Sequence, residues 1–196
     1  MKNKLMRENI KQQILDSAKI KHDIALNGVE VIERAAHLLI DSIKAGGKIL
    51  WCGNGGSAAD AQHLATELMG GMSDHDRMPI PSIALTTDSS FITAWSNDTD
   101  FESIFSRQIQ GLGKEDDVLV GISTSGNSKN IINALKQAKY KKLKTISFTG
   151  KTGGDLNGIA DITIKVPSDD TQRIQESHIM IGQILCGLVE SFIMKN

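Results

Sequence analysis

Five short runs rich in β-branched and aliphatic residues recur along the chain, at 48–52, 82–86, 118–123, 145–149 and 162–166. Each has the length and composition of a strand, and the segments between them are helical in pattern or long loops. Strands that alternate with helical stretches imply right-handed crossovers, hence a parallel sheet covered by helices on both faces.

Ahead of the first run, apolar residues at Ile10, Ile14, Ile20 and Ile24, and then at Ile32, Ala35, Ala36, Leu39, Ile40 and Ile43, recur at near-helical spacing until Gly46-Gly47 stops the pattern. After the last run, Ile174, Ile181, Leu185, Leu188, Val189 and Phe192 form a broad apolar stripe on one long helix from about Thr171 to Met194. The expected fold class is α/β: a flavodoxin-like three-layer α/β/α sandwich on a five-stranded parallel sheet, with N-terminal helices and a long C-terminal helix. A single domain over 1–196 is expected, with 1–45 a helical extension and 46–196 the α/β core and final helix. Helices with apolar stripes at both ends of a small domain point to a homo-oligomer that hides those stripes against another copy.

Composition narrows the partners. A formal net charge of -1, with acidic and basic residues interspersed, supplies no basic face for a phosphate backbone, so direct binding of nucleic acid is not expected. Cys52 and Cys186 lie far apart and match neither a disulfide framework nor a zinc ribbon, which favours reduced thiols and a cytoplasmic setting. Residues 1–20 lack the apolar run and small-residue site of a signal peptide. No stretch approaches ~18 consecutive apolar residues, so no membrane association is expected.

In open parallel sheets ligands bind beyond the carboxyl ends of the strands. Two loops there carry chemistry. Gly53-Asn54-Gly55-Gly56-Ser57 opens a helix, and its glycines let backbone N–H groups approach an anion. Ser123-Thr124-Ser125-Gly126-Asn127-Ser128 crowds hydroxyls at a second helix start, where they can donate to phosphate oxygens with help from the helix dipole. Taken singly, ordinary turns and caps account for either loop. The spacing Gly53-x-Gly55-x-x-Ala58 also fits a loose dinucleotide fingerprint, but Asp88 is too distant for its acidic partner and the serine-rich loop has no task in it. Within the first of these helices His63 and Glu67 stand four apart, on one face with Cβ atoms ~5–6 Å apart, a spacing that suits metal ligands, an acid/base pair or a plain surface pair.

Taken together, 53–63, Glu67, Asn97-Asp98, 105–108 and 121–128, followed by Thr149-Gly150, Gly153-Gly154, 166–171 and Arg173-Ile174-Gln175-Glu176, resemble the phosphoheptose isomerases, the sedoheptulose 7-phosphate isomerases of the SIS (sugar isomerase) fold. The resemblance runs nearly end to end. It implies that Ser123, Thr124, Ser125 and Ser128 hold a substrate phosphate, and that Asn54, Gly55, Gly56, Ser57, Asn97 and Asp98 line the sugar, with Glu67 and Gln175 also at the substrate. It implies a zinc cofactor held by His63, Glu67 and Gln175, a cation able to polarise a carbonyl, with Glu67 as the base that moves a proton between C1 and C2. It further implies conversion of sedoheptulose 7-phosphate to D-glycero-D-manno-heptose 7-phosphate, the first step of heptose synthesis for lipopolysaccharide or surface-layer glycan, by a homotetramer.

The chain departs from that pattern at three places. Gln183 stands where the family has a histidine that is both a zinc ligand and an acid/base; an amide can offer an oxygen but cannot shuttle a proton. His178 is the nearest substitute in sequence, three residues after Gln175. Gln175 and Gln183 are also ~12 Å apart along one helix axis. Gly71 replaces a family arginine that contacts substrate, and the neighbours of Asn97-Asp98 differ from the usual glycine and tyrosine. The competing reading is a non-catalytic SIS-fold binding or scaffold protein, like the relative that associates with the bacterial replication initiator. Bound metal at His63 and Glu67 discriminates the two.

Overall fold

Along β1 (Ile49–Gly53) Ile49 and Trp51 point into one apolar cluster while Leu50 and Cys52 point into another, and all four are fully buried. That two-sided burial is the mark of a sheet sandwiched between helical layers. The computed structural model describes residues 2–194. The remaining strands are β2 (Ser82–Ala84), β3 (Val118–Ile122), β4 (Lys144–Thr149) and β5 (Ile162–Lys165), all parallel, in the order β2-β1-β3-β4-β5. This is the flavodoxin-like order read from the sequence, and the order reverses between β1 and β3, where a crevice opens beyond the carboxyl ends. The strand bounds shift by a residue or two, most at β2, an edge strand whose pairing with β1 ends at Trp51↔Ala84.

The helices are α1 (Lys2–Asn27), α2 (Val29–Lys44), α3 (Gly56–Gly70), α4 (Ser89–Asp98), α5 (Ile104–Leu112), α6 (Lys129–Tyr140) and α7 (Thr171–Met194). Residues of α2, α3 and α7 share one cluster with Ile49, Trp51, Val118 and Val120, while α5 and α6 cover Leu50, Cys52 and Leu119 on the opposite face. Trp51 is the largest fully buried side chain, and its indole N–H donates to Ser82 Oγ at 2.9 Å, so burial leaves no orphan donor there. At the amino ends of β1 and β3, Lys48 and a buried Asp117 form an ion pair of 2.6 Å.

The two terminal apolar stripes are covered to different degrees. On α1, Ile20 and Ile24 pack on the core, but Leu5, Ile10, Ile14 and Leu15 remain at least half exposed. By length and composition α7 could cross a membrane, yet Ile174, Ile181, Leu185 and Val189 are buried against α2 and α3.

Candidate functional site

The first loop is shaped by glycine. Gly55 has φ +56, and a Cβ on Gly56 would lie 2.6 Å from Gln175 Nε2, so the side chain of Gln175 packs directly on the backbone that opens α3. The amides of Asn54 and Asn130 bond reciprocally, at 2.9 and 2.8 Å, and tie this loop to the first turn of α6. Asn130 is buried and had no signal in the sequence beyond its place after the serine-rich loop. Ser57 is buried, its N–H donating to Asn54 O to close the turn.

In the second loop three hydroxyls converge. Ser123 Oγ lies 2.9 Å from Ser128 Oγ and 3.5 Å from Ser125 Oγ, and Ser128, the N-cap of α6, makes no side-chain capping bond. Thr124 and Ser125 line a crevice of about 190 Å³ with Gly150, Lys151, Ser168 and Thr171. Gly150 permits it, because a Cβ there would sit 2.7 Å from Thr124 O. Asp169 also lines the crevice, while the hydroxyls, Lys151 and the start of α7 at Thr171 are the features that suit an anion.

The helix faces of α3 and α7 meet beside the first loop, running in the same direction: Gly56 against Gln175, Leu64 against Gly182, and His63 against Gln183. His63 Nε2 is 2.8 Å from Glu67 Oε1, as the four-residue spacing requires, and 3.5 Å from Gln183 Nε2. Asp60 occupies the turn between Gly56 and His63. Its Oδ2 is buried with no hydrogen-bond donor among the described residues, and burial pushes its carboxyl up to about 6 while His63 pulls the other way.

Among the described residues no three His, Cys, Asp or Glu side chains come together as a metal cluster. The donors that do converge are one imidazole nitrogen, one carboxylate oxygen and one amide, whose oxygen and nitrogen exchange by a flip. Such a set fits a divalent cation with two strong donors and a weak third. Gln175 sits about two turns away on α7, over Gly56, so it belongs to the loop end of the site.

His178 does not take the missing imidazole's place. Its ring is fully buried against Phe148, its Nε2 meets Thr149 O at 3.1 Å, and burial pushes its pKa down to about 4, so it is a neutral core residue. Asn97 and Asp98 lie exposed at the end of α4, where the Asn97 amide donates to Asp98 Oδ1 at 2.8 Å. Gly71 has φ +99 in a tight turn, and a Cβ there would lie 2.4 Å from Asp74 O. Sequence reasoning also missed Arg77 and Glu190, a buried ion pair of 3.1 Å just past Glu67. Their long sequence separation leaves no local signal.

Residues 13–150 match the SIS domain family. The chain is 48% identical over 190 residues to the phosphoheptose isomerase of Sulfurimonas denitrificans, covering 96% of this chain and 97% of that relative. It is 49% identical over 193 residues to that of Aneurinibacillus thermoaerophilus, covering 97% of each. Among solved structures, the phosphoheptose isomerase of Neisseria gonorrhoeae superposes with a TM-score of 0.89 at 42% identity, over 95% of this chain and 99% of that one. The Francisella tularensis enzyme does so with a TM-score of 0.92 at 38% identity, over 95% and 98%. With identity of this order across nearly the whole length of both partners, the chain belongs to the SIS domain family and, within it, to the phosphoheptose isomerases.

Proposed function

We propose that this chain interconverts sedoheptulose 7-phosphate and D-glycero-D-manno-heptose 7-phosphate, in the crevice between the 53–57 and 123–128 loops. The observations that carry the reading are the close set His63, Glu67 and Gln183 on α3 and α7, the convergence of three serine hydroxyls at the head of α6, and the Asn54–Asn130 bonds that tie the loop opening α3 to α6.

Ser123, Ser125 and Ser128 donate to the phosphate, with Thr124 beside them and the α6 dipole adding attraction. That anchor directs the sugar's reacting end toward Gly55, Gly56 and α3. Asn54, held by Asn130, and Gln175, packed on Gly56, orient hydroxyls there, and Asn97 and Asp98 bound the outer wall. Glu67 takes the proton from one carbon of the C1–C2 pair and returns it to the other, and in the metal-free chain its carboxylate is held by a 2.8 Å bond to His63 Nε2. His63, Glu67 and Gln183 would hold zinc, with Gln175 toward the sugar. When bound there, the metal's contribution is polarisation of the substrate carbonyl. Gln183 supplies an amide and no proton, so Glu67 handles proton transfer without a titrating partner at that position.

One SIS domain spanning the chain, assembled as a homo-oligomer and in family fashion a tetramer, completes the reading. The exposed Leu5, Ile10, Ile14 and Leu15 of α1, together with an open apolar groove of about 680 Å³ between α1, α2 and α7, support assembly.

The test is turnover of sedoheptulose 7-phosphate by metal-analysed protein, with and without chelator, beside Gln183→His. Metal-dependent turnover by the unaltered chain is the expected result. No turnover and no bound metal would favour the sugar-phosphate-binding scaffold, the reading that Gln183 beside His63 otherwise supports.

A further inference from the structure

Charged side chains are seldom buried, and a buried ion pair seldom stabilises a fold more than apolar residues of the same volume would. The side chains of Arg77 and Glu190 are nevertheless 5% and 2% exposed and lie 3.1 Å apart. What they touch suggests their role. Glu190, on α7, accepts backbone N–H bonds from Met72 at 3.1 Å, Ser73 at 3.1 Å and Asp74 at 3.0 Å, so the turn leaving α3 wraps around its carboxylate. Arg77 reaches back to the end of α3, where its Nη2 donates to Glu67 O at 3.0 Å and Leu68 O at 2.8 Å, carbonyls in the helix's last turn. Its Nη1 donates to Met78 O at 2.9 Å. Burial pushes the Glu190 carboxyl up, but the donors of Asp74, Ser73, Arg77 and Met72 outweigh it and hold the group ionised, below its ordinary value.

These contacts close a circuit. Glu190 lies seven residues after Gln183 on the same face of α7, and Arg77 grips the main chain of Glu67. The α3 and α7 faces therefore touch at His63 and Gln183 through side chains, and again at Glu67 and Glu190 through Arg77. Gly71 makes the turn possible, since only a residue without a Cβ fits its φ of +99 so close to Asp74 O.

We propose that Arg77 and Glu190 are a positioning pair, which fixes the register of α3 against α7 and thereby the distance from Glu67 and His63 to Gln183; the catalytic consequence rests on reading Glu67 as the proton-transferring group. Neither residue touches the reacting atoms. Their role is to keep the carboxylate of Glu67 within the narrow tolerance that proton transfer demands, where a shift of ~1 Å costs up to about 100-fold in rate.

The experiment uses the full chain with Arg77→Lys, which keeps the charge but loses the planar fork that spans three carbonyls and a carboxylate. Glu190→Gln is the second variant, keeping the shape and one accepting oxygen. Three quantities are read: cooperative melting, kcat and KM for sedoheptulose 7-phosphate, and the imidazole ¹⁵N resonance of His63, assigned with His63→Gln. The expected result, at temperatures where the variant is folded, is kcat lower by about 10- to 100-fold, KM within about twofold, and a displaced His63 resonance. A folded variant with unchanged kcat and an unmoved His63 resonance would overturn the proposal and leave the pair a fold element only. Because the His63 signal needs no turnover, it decides the matter even if the unaltered chain proves inactive on this sugar; should Arg77→Lys not fold, Glu190→Gln carries the same readouts.

Discussion

Gln183 of α7 stands 3.5 Å from His63 Nε2 of α3, the nitrogen that also meets Glu67 Oε1 at 2.8 Å. An amide at that point can ligate or hydrogen-bond but cannot titrate, so under the proposed mechanism proton transfer rests on Glu67 of α3. Replacing it tests how far the chain depends on that arrangement. Gln183→His is expected to retain zinc about tenfold more strongly against a competing chelator, ~1.4 kcal/mol, because imidazole is the stronger ligand. Metal content after graded chelator dialysis measures this directly.

Glu67→Gln removes the carboxylate proposed to transfer the proton while preserving its size and a hydrogen bond to His63. Turnover of sedoheptulose 7-phosphate is expected to fall by about 10²- to 10⁴-fold with the melting transition little changed. A variant that keeps more than a tenth of the activity would assign the base elsewhere.

The hydroxyl convergence at α6 predicts a loss in binding. Ser123→Ala and Ser128→Ala each delete a proposed donor to an ionised phosphate, a contact worth about 1.5–3 kcal/mol, so KM should rise roughly 10- to 100-fold while kcat moves much less.

Asp60 makes stability depend on pH in a stated direction. Its folded carboxyl is raised to about 6 from an ordinary 3.8, so the folded state holds that proton over a range in which the unfolded chain has lost it. The resulting penalty is absent below pH 3.8, grows as pH rises to about 6, and stays constant above. In metal-free protein Asp60→Asn is therefore expected to match the parent near pH 3.5 and to melt higher at pH 7, a comparison thermal scans at the two pH values provide.

His178 acts in the opposite sense. Its folded pKa is depressed to about 4 from 6.5 by burial beneath Phe148, so the unfolded chain binds the proton first as pH falls. Stability is lost between pH 6.5 and about 4, and His178→Gln should flatten that part of the pH–stability curve if the amide keeps the bond to Thr149 O.

Most of the architecture was legible in the chain because it rests on local signals. β-rich runs such as 118–122, the apolar stripe of α7 and the glycine-rich and serine-rich loops each declare themselves within a dozen residues, and parallel topology follows from their alternation. The i,i+4 geometry of His63 and Glu67 is likewise a property of any helix, and the structure returns it as a 2.8 Å contact.

What only the tertiary structure decided lies between residues distant in sequence. Nothing local distinguishes His178, sealed in the core, from Gln183, five residues on and open to the site, because that difference is set by which face α7 turns toward α3 and the sheet. The partnering of Asn54 with Asn130, and of Arg77 with Glu190 across 113 residues of chain, has the same origin. A hydrogen bond or ion pair between remote segments carries no signature in either segment, since its geometry exists only once the helices have packed. The sequence determined the elements and the chemistry available at their ends; packing determined which of those groups face one another and which are buried out of reach.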